Sequence, residues 1–368
     1  MKIVIIGGKL QGTEAIYLAK KAGYHSILID INENVMSAKL CDEFVCGDII
    51  NRDENVMTAL SEADIIIPTM ENMEVIKAIG KISLEYNLNV AFDFEAYMIT
   101  QSKLKSDELF HKNHIPSPKY YPNCQPPYIL KPICESGSHG IIKINTKEEL
   151  DKIDNLSDYI IQEYLEGPSY SIEIIGNREK YKTFEITKIH MDDVFDCKRV
   201  TAPCNISKET ENKFKKIAIK IAKLVELNGI MDVEAILHRG ELKILEIDAR
   251  MPSQTPSVVL MTTGVNLLKE LIELKLNGRF TEDEFDKKLY GTYENYSLID
   301  GVLLNQGEHI MGDAKYLKHA KDLFGYKDVI WDYKESNCFS GIFINSALTK
   351  EKIEEDKNNL IDELKKLK

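Results

Sequence analysis

Residues 231–250, MDVEAILHRGELKILEIDAR, constrain this chain more than any other segment. Two runs alternate apolar with polar residues, and Arg239-Gly240 separates them, so they read as a β-hairpin. Side chains on a strand repeat every second residue. Asp232 and Glu234 therefore share one face of the first strand, and Glu246 and Asp248 share one face of the second. The residues between and beside them (Met231, Val233, Ala235, Ile244, Leu245, Ile247) are apolar, which marks the hairpin as buried. Four converging carboxylates repel one another unless cations sit among them. Hard divalent ions that also bind nucleotide phosphates would relieve that repulsion. Arg250 follows on the same face. The next loop, MPSQTP, carries Ser253, Gln254 and Thr255, which can orient a substrate.

The first 90 or so residues have another texture. KIVII, HSILIDIN, ADIIIPTMEN and VAFDFEAY read as four strands, with helical spacing in TEAIYLAKKAG between the first two. Strands alternating with helices predict a parallel, Rossmann-like sheet. Gly7-Gly8-Lys9-Leu10-Gln11-Gly12 joins the first strand to its helix, the setting for an anion at a helix N-terminus. Lys9 stands where a dinucleotide fingerprint needs a glycine for close approach to pyrophosphate, which disfavours NAD. Lys9, Leu10, Gln11 and Asp30 are the ligand-binding candidates of this region. Glu71, at the end of the ADIIIPTMEN unit, is a substrate-binding candidate.

An ordered set of motifs lies between these segments. Lys103 opens a helix running to about Asn113, and a Pro-rich connection, HIPSPKYYPNCQPP, leads to Lys131 in YILKP. The small-residue stretch 134–140 then carries Ser136, Gly137, Ser138 and Gly140, whose backbone N–H groups can cradle phosphate between the two lysines. Gln162, Glu163 and Leu165 follow, on a strand that runs into a turn at Glu166-Gly167. Such a hinge can hydrogen-bond an adenine edge. Short alternating runs around them predict a mostly antiparallel sheet. Long helices are expected at 209–229 and 265–278, and a charged helix at the end of the chain. The acidic HMDDVFDC, residues 190–197, makes Asp192 and Asp196 candidates for receiving substrate ammonium groups, with His190 beside them. Glu173 is a further substrate-binding candidate.

Composition excludes several classes of function. A net charge of −12 argues against nucleic acid, because phosphate contacts need basic surface. No apolar run approaches the roughly 20 residues of a membrane span, and MKIVIIGGKL turns strand-like too early for a signal peptide. Seven cysteines without a CxxC pair suit reduced thiols. The expected location is the cytoplasm.

The two lysines, the small-residue loop, the hinge and the final Glu-x-Asp-x-Arg resemble the ATP-grasp superfamily, in its carboxylate–amine ligase branch. GGKLQG, DFEAY, KPICESGSHG, HMDDVFDC, GIMDVEA and EIDARMPSQTP are more specific, and resemble the ligases of pyrrolysine biosynthesis through most of the chain up to about residue 280. The resemblance implies an α/β and α+β chain, with a Rossmann-like pre-ATP-grasp domain over 1–95, a small lid subdomain with its linking helix over 96–185, and a catalytic subdomain with a C-terminal extension over 186–368. It implies ATP and Mg2+ as cofactors. The reaction would be amide formation between the carboxylate of (3R)-3-methyl-D-ornithine and the ε-amine of L-lysine through an acyl phosphate, with small amino acids as the only partners. Lys103 and Lys131 would contact ATP phosphates under a lid of 136–140, and Gln162, Glu163 and Leu165 would hold adenine. Asp232, Glu234, Glu246 and Asp248 would bind magnesium, and Arg250 would act with Lys131 in catalysis. Ser102 and Ser169 depart from residues common in relatives, an Asp before the first lysine and a ribose-binding Glu after the hinge. A ligase for other amino acids, of dipeptide or D-alanine–D-alanine type, and a non-catalytic nucleotide sensor are the alternatives.

Overall fold

The computed structural model describes residues 1–133, 140–281, 288–333 and 338–366. Its first sheet holds β1 (Lys2–Ile6), β2 (His25–Asp30), β3 (Glu43–Cys46) and β4 (Ile65–Pro68), all parallel, in the order β3-β2-β1-β4. Helices α1 (Leu10–Ala22), α2 (Glu54–Ser61) and α3 (Met73–Tyr86) connect or follow the strands. Ile3 to Ile6 and Ile27 to Ile29 are buried, as continuous apolar runs between two helical layers must be. The turn into α1 is tight: a Cβ on Gly12 would stand 1.9 Å from the Gly7 carbonyl oxygen, so only glycine fits.

One expected strand is mostly absent. Within VAFDFEAY only Val90 bridges the sheet, to Ile66. Asp93 accepts from the N–H groups of Glu95 and Ala96 and starts α4 (Phe94–Thr100) instead. The fourth strand is β3, whose half-exposed EFVC carries little apolar signal. Next comes α5 (Lys103–Lys112). A small antiparallel sheet follows, built from β5 (Tyr128–Pro132), β6 (Ile142–Ile144) and β7 (Tyr159–Glu163), with the short α6 (Lys147–Leu150) against it.

The remaining strands form one ten-stranded antiparallel sheet: β8 (Ser169–Asn177), β9 (Tyr181–Met191), β10 (Cys197–Ala202), β11 (Asn228–His238), β12 (Glu241–Asp248), β13 (Tyr290–Ile299), β14 (Val302–Leu304), β15 (Lys318–Leu323), β16 (Tyr326–Trp331) and β17 (Phe339–Ala347). The helices between and after them are α7 (Lys208–Leu224), α8 (Thr255–Thr263), α9 (Leu267–Asn277) and α10 (Lys350–Lys365). The small and large sheets part between Glu163 and Ser169, ahead of the boundary expected after residue 185. The reason is that β8 pairs with β11 along its whole length and carries β9 with it. The mixed tail after residue 280 also joins the large sheet, through β13 beside β10.

Helix α1 ties the first sheet's layer to the rest. Glu14 accepts from the backbone N–H of Ser257 at 2.7 Å, satisfying a donor at the buried N-terminus of α8. Tyr17 and Lys21 reach the buried Asp328 on β16, at 3.0 and 2.7 Å, and His319 on β15 completes that cluster at 2.7 Å. Burial alone would raise the Asp328 pKa. The hydrogen bonds from His319 and Lys21 outweigh it and hold the carboxyl at about 2, below its ordinary 3.8. A depressed carboxylate stabilises the fold fully above its unfolded value, and the stabilisation fades as pH falls through the folded one. Asp328→Asn should therefore cost about 1–3 kcal/mol at neutral pH and flatten the loss of stability between pH 4 and 2. Denaturant titrations across that range measure both effects.

Candidate functional site

The β11–β12 hairpin turns at Arg239 and Gly240, with φ of 51° and 84°, the left-handed pair that a two-residue turn requires. The register set by the turn runs as far as Ala235 opposite Ile244, and a bulge between Glu234 and Ala235 then shifts it by one residue. Asp232 lies opposite Asp248 and Glu234 opposite Glu246, so the four carboxyls do share one face. On the other side of β11, Glu173 lies opposite Asp232 and Ser171 opposite Glu234. The acidic row thus crosses three strands.

Burial dominates the electrostatics. It pushes the Asp232 carboxyl well above the ordinary range, helped by Asp248 and Glu234. Burial and Glu246 raise Glu234 to about 8. Burial raises Asp248 to about 7 against the pull of Arg250, and Glu173 also to about 7. Arg250 donates to Asp248 at 2.7 Å and to Glu71 at 2.8 Å, while Gln11 reaches Glu71 at 3.2 Å. One guanidinium therefore joins the hairpin to the first sheet's loops. The array also leaves Asp232 Oδ1 and Asp248 Oδ1 buried without partners among the described residues. An all-oxygen, multiply anionic set with orphaned oxygens fits a hard divalent cation.

These groups line a cleft of about 420 Å3, together with Glu71, Tyr97, Lys103, Asp196, Ser253, Gln254, Thr255 and Glu308. A narrower recess shares Thr100, Lys103 and Glu246 with it and adds Asp107, Lys131 and Gln162. Burial lowers the Lys131 pKa against the opposing pull of Glu246. Lys103 Nζ lies 3.5 Å from the Pro132 carbonyl. Gln162 and Leu165 are buried. The Glu163 side chain turns away to the backbone N–H of Lys119, at 2.8 Å, and to Lys243, at 3.4 Å, and its own N–H donates to the Lys119 carbonyl at 2.9 Å. Ser136, Gly137 and Ser138 lie outside the described residues, and Gly140 closes that stretch with a φ of 72°.

Several expected site residues stand apart from the cleft. Asp30 is engaged by its own loop, accepting from the N–H groups of Gly8 and Asn32 at 2.8 Å each. Lys9 is exposed ahead of α1, and Leu10 is half-buried. Glu173 lies beneath the cleft wall, with Ser171 donating to it at 3.2 Å. Asp192 spends its oxygens on the backbone of Val194, Asp196 and Gly307. Of the acidic turn only Asp196 lines the cleft, and His309 grips it at 2.6 Å. Burial lowers His190 to about 4, and it pairs with Thr201 at 3.0 Å.

Three participants carried no legible signal. Glu308, in a 3-10 turn at Glu308–Met311, accepts from Gln254 at 3.1 Å and Ser253 at 3.4 Å and enters the cleft from the C-terminal extension. Glu14 holds the α8 end of the cleft from α1. Tyr97 lines the cleft from the segment read as a strand.

Raised carboxyl pKa values have a consequence for stability. The folded protein holds protons that the unfolded chain releases near pH 4, so metal-free protein should lose stability as pH rises from about 4 to about 8. Saturating magnesium should flatten that decline. Thermal midpoints across this pH range, in a chelator and in excess magnesium, provide the check.

A family model described as an ATP-grasp domain matches residues 100–254. The 3-methyl-D-ornithine–L-lysine ligase of Methanosarcina acetivorans is 39% identical over 311 residues, 84% of this chain and 83% of that protein. Its counterpart from Methanosarcina barkeri is 36% identical over the same shares. Among solved structures, an N5-carboxyaminoimidazole ribonucleotide synthetase in complex with ADP superposes with a TM-score of 0.74 at 18% identity, covering 98% of this chain and 96% of that one. An L-amino acid ligase from Bacillus licheniformis superposes with a TM-score of 0.69 at 15% identity, covering 98% and 97%. The last two show an ATP-grasp fold. The Methanosarcina enzymes, alike over most of both lengths, show more: the chain belongs to the 3-methyl-D-ornithine–L-lysine ligase family.

Proposed function

We propose that this protein is an ATP-dependent ligase that joins the carboxylate of 3-methyl-D-ornithine to the ε-amine of L-lysine in pyrrolysine biosynthesis. The observation that carries the reading is the 39% identity across 84% of the chain to a ligase of that name. The facing carboxylate pairs, Lys131 and Arg250 supply chemistry suited to such a reaction.

A carboxylate resists attack by an amine because its carbonyl is a poor electrophile and its oxygen a poor leaving group. Transfer of the γ-phosphoryl group of ATP to one carboxylate oxygen, with ADP leaving, changes both properties. The lysine amine then attacks the acyl carbon, phosphate departs, and the amine proton passes to solvent or a nearby base. In this reading Lys131 and Lys103, which both line the narrow recess, balance the phosphates that approach the anionic nucleophile. Asp232, Glu234, Glu246 and Asp248 would hold magnesium, which offsets phosphate charge when bound. Arg250, pinned between Asp248 and Glu71, presents a fixed guanidinium to the transferring group. Asp196 and Glu308 give the far side of the cleft an acidic wall, to which substrate ammonium groups are attracted.

Among the described residues no helix is long and apolar enough to cross a membrane. The expected location is the cytoplasm, and the expected partners are small amino acids rather than nucleic acid.

The test is phosphate release from ATP and magnesium with each amino acid alone and with both, and mass analysis of the product. Release should require both amino acids and yield an Nε-linked amide of lysine. Equal release with norleucine in place of lysine would contradict the reading, since norleucine has no side-chain amine. Lys131→Ala should lower kcat/KM for ATP by about a hundredfold or more while the protein still folds, which circular dichroism checks. Unchanged ATP kinetics in that variant would remove Lys131 from the site.

A further inference from the structure

The main cleft also has an apolar strip, to which the reaction scheme gives no task. Asp232, Glu234, Glu246 and Asp248 lie on β11 and β12. On the far side of β8, the cleft is lined by Ile189 and Met191 of β9 and by Cys197 and Val200 of β10. Ile189 stands opposite Val200 and Met191 opposite Cys197, so these four side chains share one face. Phe195, in the turn that joins β9 to β10, closes the strip and lines the cleft with them.

The backbone at Phe195 is unusual. Its φ is 64°, in the left-handed region that bulky side chains rarely enter. Asp192 imposes this turn. One of its carboxylate oxygens accepts from the N–H groups of Val194 and Asp196, at 2.9 and 3.0 Å, and its carbonyl accepts from the Phe195 N–H at 3.3 Å. The Phe195 ring meets Tyr164, just past β7, edge to face with centroids 6.5 Å apart. Strain of this kind persists only where the surroundings over-determine it, and it gathers where a side chain must be aimed at a ligand. A solvated turn has no need of an aromatic ring in this conformation.

The substrates determine what the strip can read. A carboxylate that is to be phosphorylated must lie near the ATP phosphates, on the side of β11 and β12. Substrate ammonium groups are drawn instead to Asp196 and Glu308. The carbon chain of the acyl donor then crosses β8 and runs along the apolar strip. The 3-methyl branch is the one apolar group on that chain that D-ornithine lacks. Recognition of a methyl group needs apolar surface from which water is displaced, and the strip supplies it.

We propose that Phe195, together with Met191 and Ile189, is the contact that distinguishes 3-methyl-D-ornithine from D-ornithine. This rests on the ligase reading of the cleft.

Phosphate release with ATP, magnesium and saturating lysine gives kcat/KM for each of the two donors. The wild type should prefer the methylated donor by about tenfold or more. Phe195→Ala should narrow that preference to about twofold, chiefly by lowering kcat/KM for 3-methyl-D-ornithine, and should leave KM for lysine unchanged. Met191→Ala, which leaves the left-handed turn intact, should narrow it in the same direction. Circular dichroism checks that both variants fold. Equal losses for the two donors would overturn the proposal, as would a preference that survives both substitutions. A wild type that uses both donors equally well would also overturn it, with the ligase reading still standing. A change confined to KM for lysine would assign the ring to the acceptor and overturn it too. Absence of phosphate release with either donor would sink the ligase reading, and this inference with it.

Discussion

The structure is organised around the cost of burying charge. Asp232, Glu234, Glu246 and Asp248 face one another across adjacent strands in a cleft floor, and Arg250 pairs with Asp248. Burial of that kind is unfavourable by several kcal/mol per ion unless counter-charge arrives. In the proposed reading the hairpin gives up intrinsic stability so that a hard cation has somewhere to bind. That arrangement persists only in a stiff frame. The two-residue turn and the bulge beside Glu234 fix the register, β8 pairs with β11 on the other side, and the apolar residues between the acids fill the core beneath.

Arg250 extends this constraint across the molecule. Its second bond goes to Glu71, which also receives Gln11, so the loops of the parallel sheet are drawn onto the cleft by charge pairing. Glu14 adds an independent tie by capping α8, whose first residues form the opposite rim. A glutamate within a helix of one layer thus satisfies the N-terminus of a helix in another. The burial that raises Glu14 to about 7 is opposed by its hydrogen bonds to Ser257.

The C-terminal strands have a similar double role. They complete the ten-stranded sheet through β13, and they carry the turn from which Glu308 enters the cleft. The acidic turn at 192–196, which the pattern of carboxylates marks for ligand binding, spends most of its oxygens on holding that segment in position. Function and scaffold are divided within four residues: Asp192 braces the chain, while Asp196 braces it and faces the cleft.

The sequence by itself determined the hairpin and the shared face of the two acids within each strand, because strand periodicity and a left-handed turn are local properties; the bulge that brings both pairs onto one face emerged only in the fold. It also determined the parallel α/β beginning, from apolar strands and glycine turns, and the order of Lys103, Lys131 and the hinge. Local rules erred where one capping side chain outweighed an apolar run, at Asp93, and where a half-exposed strand, β3, left no pattern. Tertiary structure alone decided what depends on distant partners. Residue spacing could not show that Glu308 reaches Gln254, that Asp192 would be consumed by Gly307, or that Gln162 would reach the Tyr120 hydroxyl. Each of those outcomes is a hydrogen bond between segments far apart in the chain. Periodicity tells which way a side chain points, but only the packed fold determines what stands there to meet it.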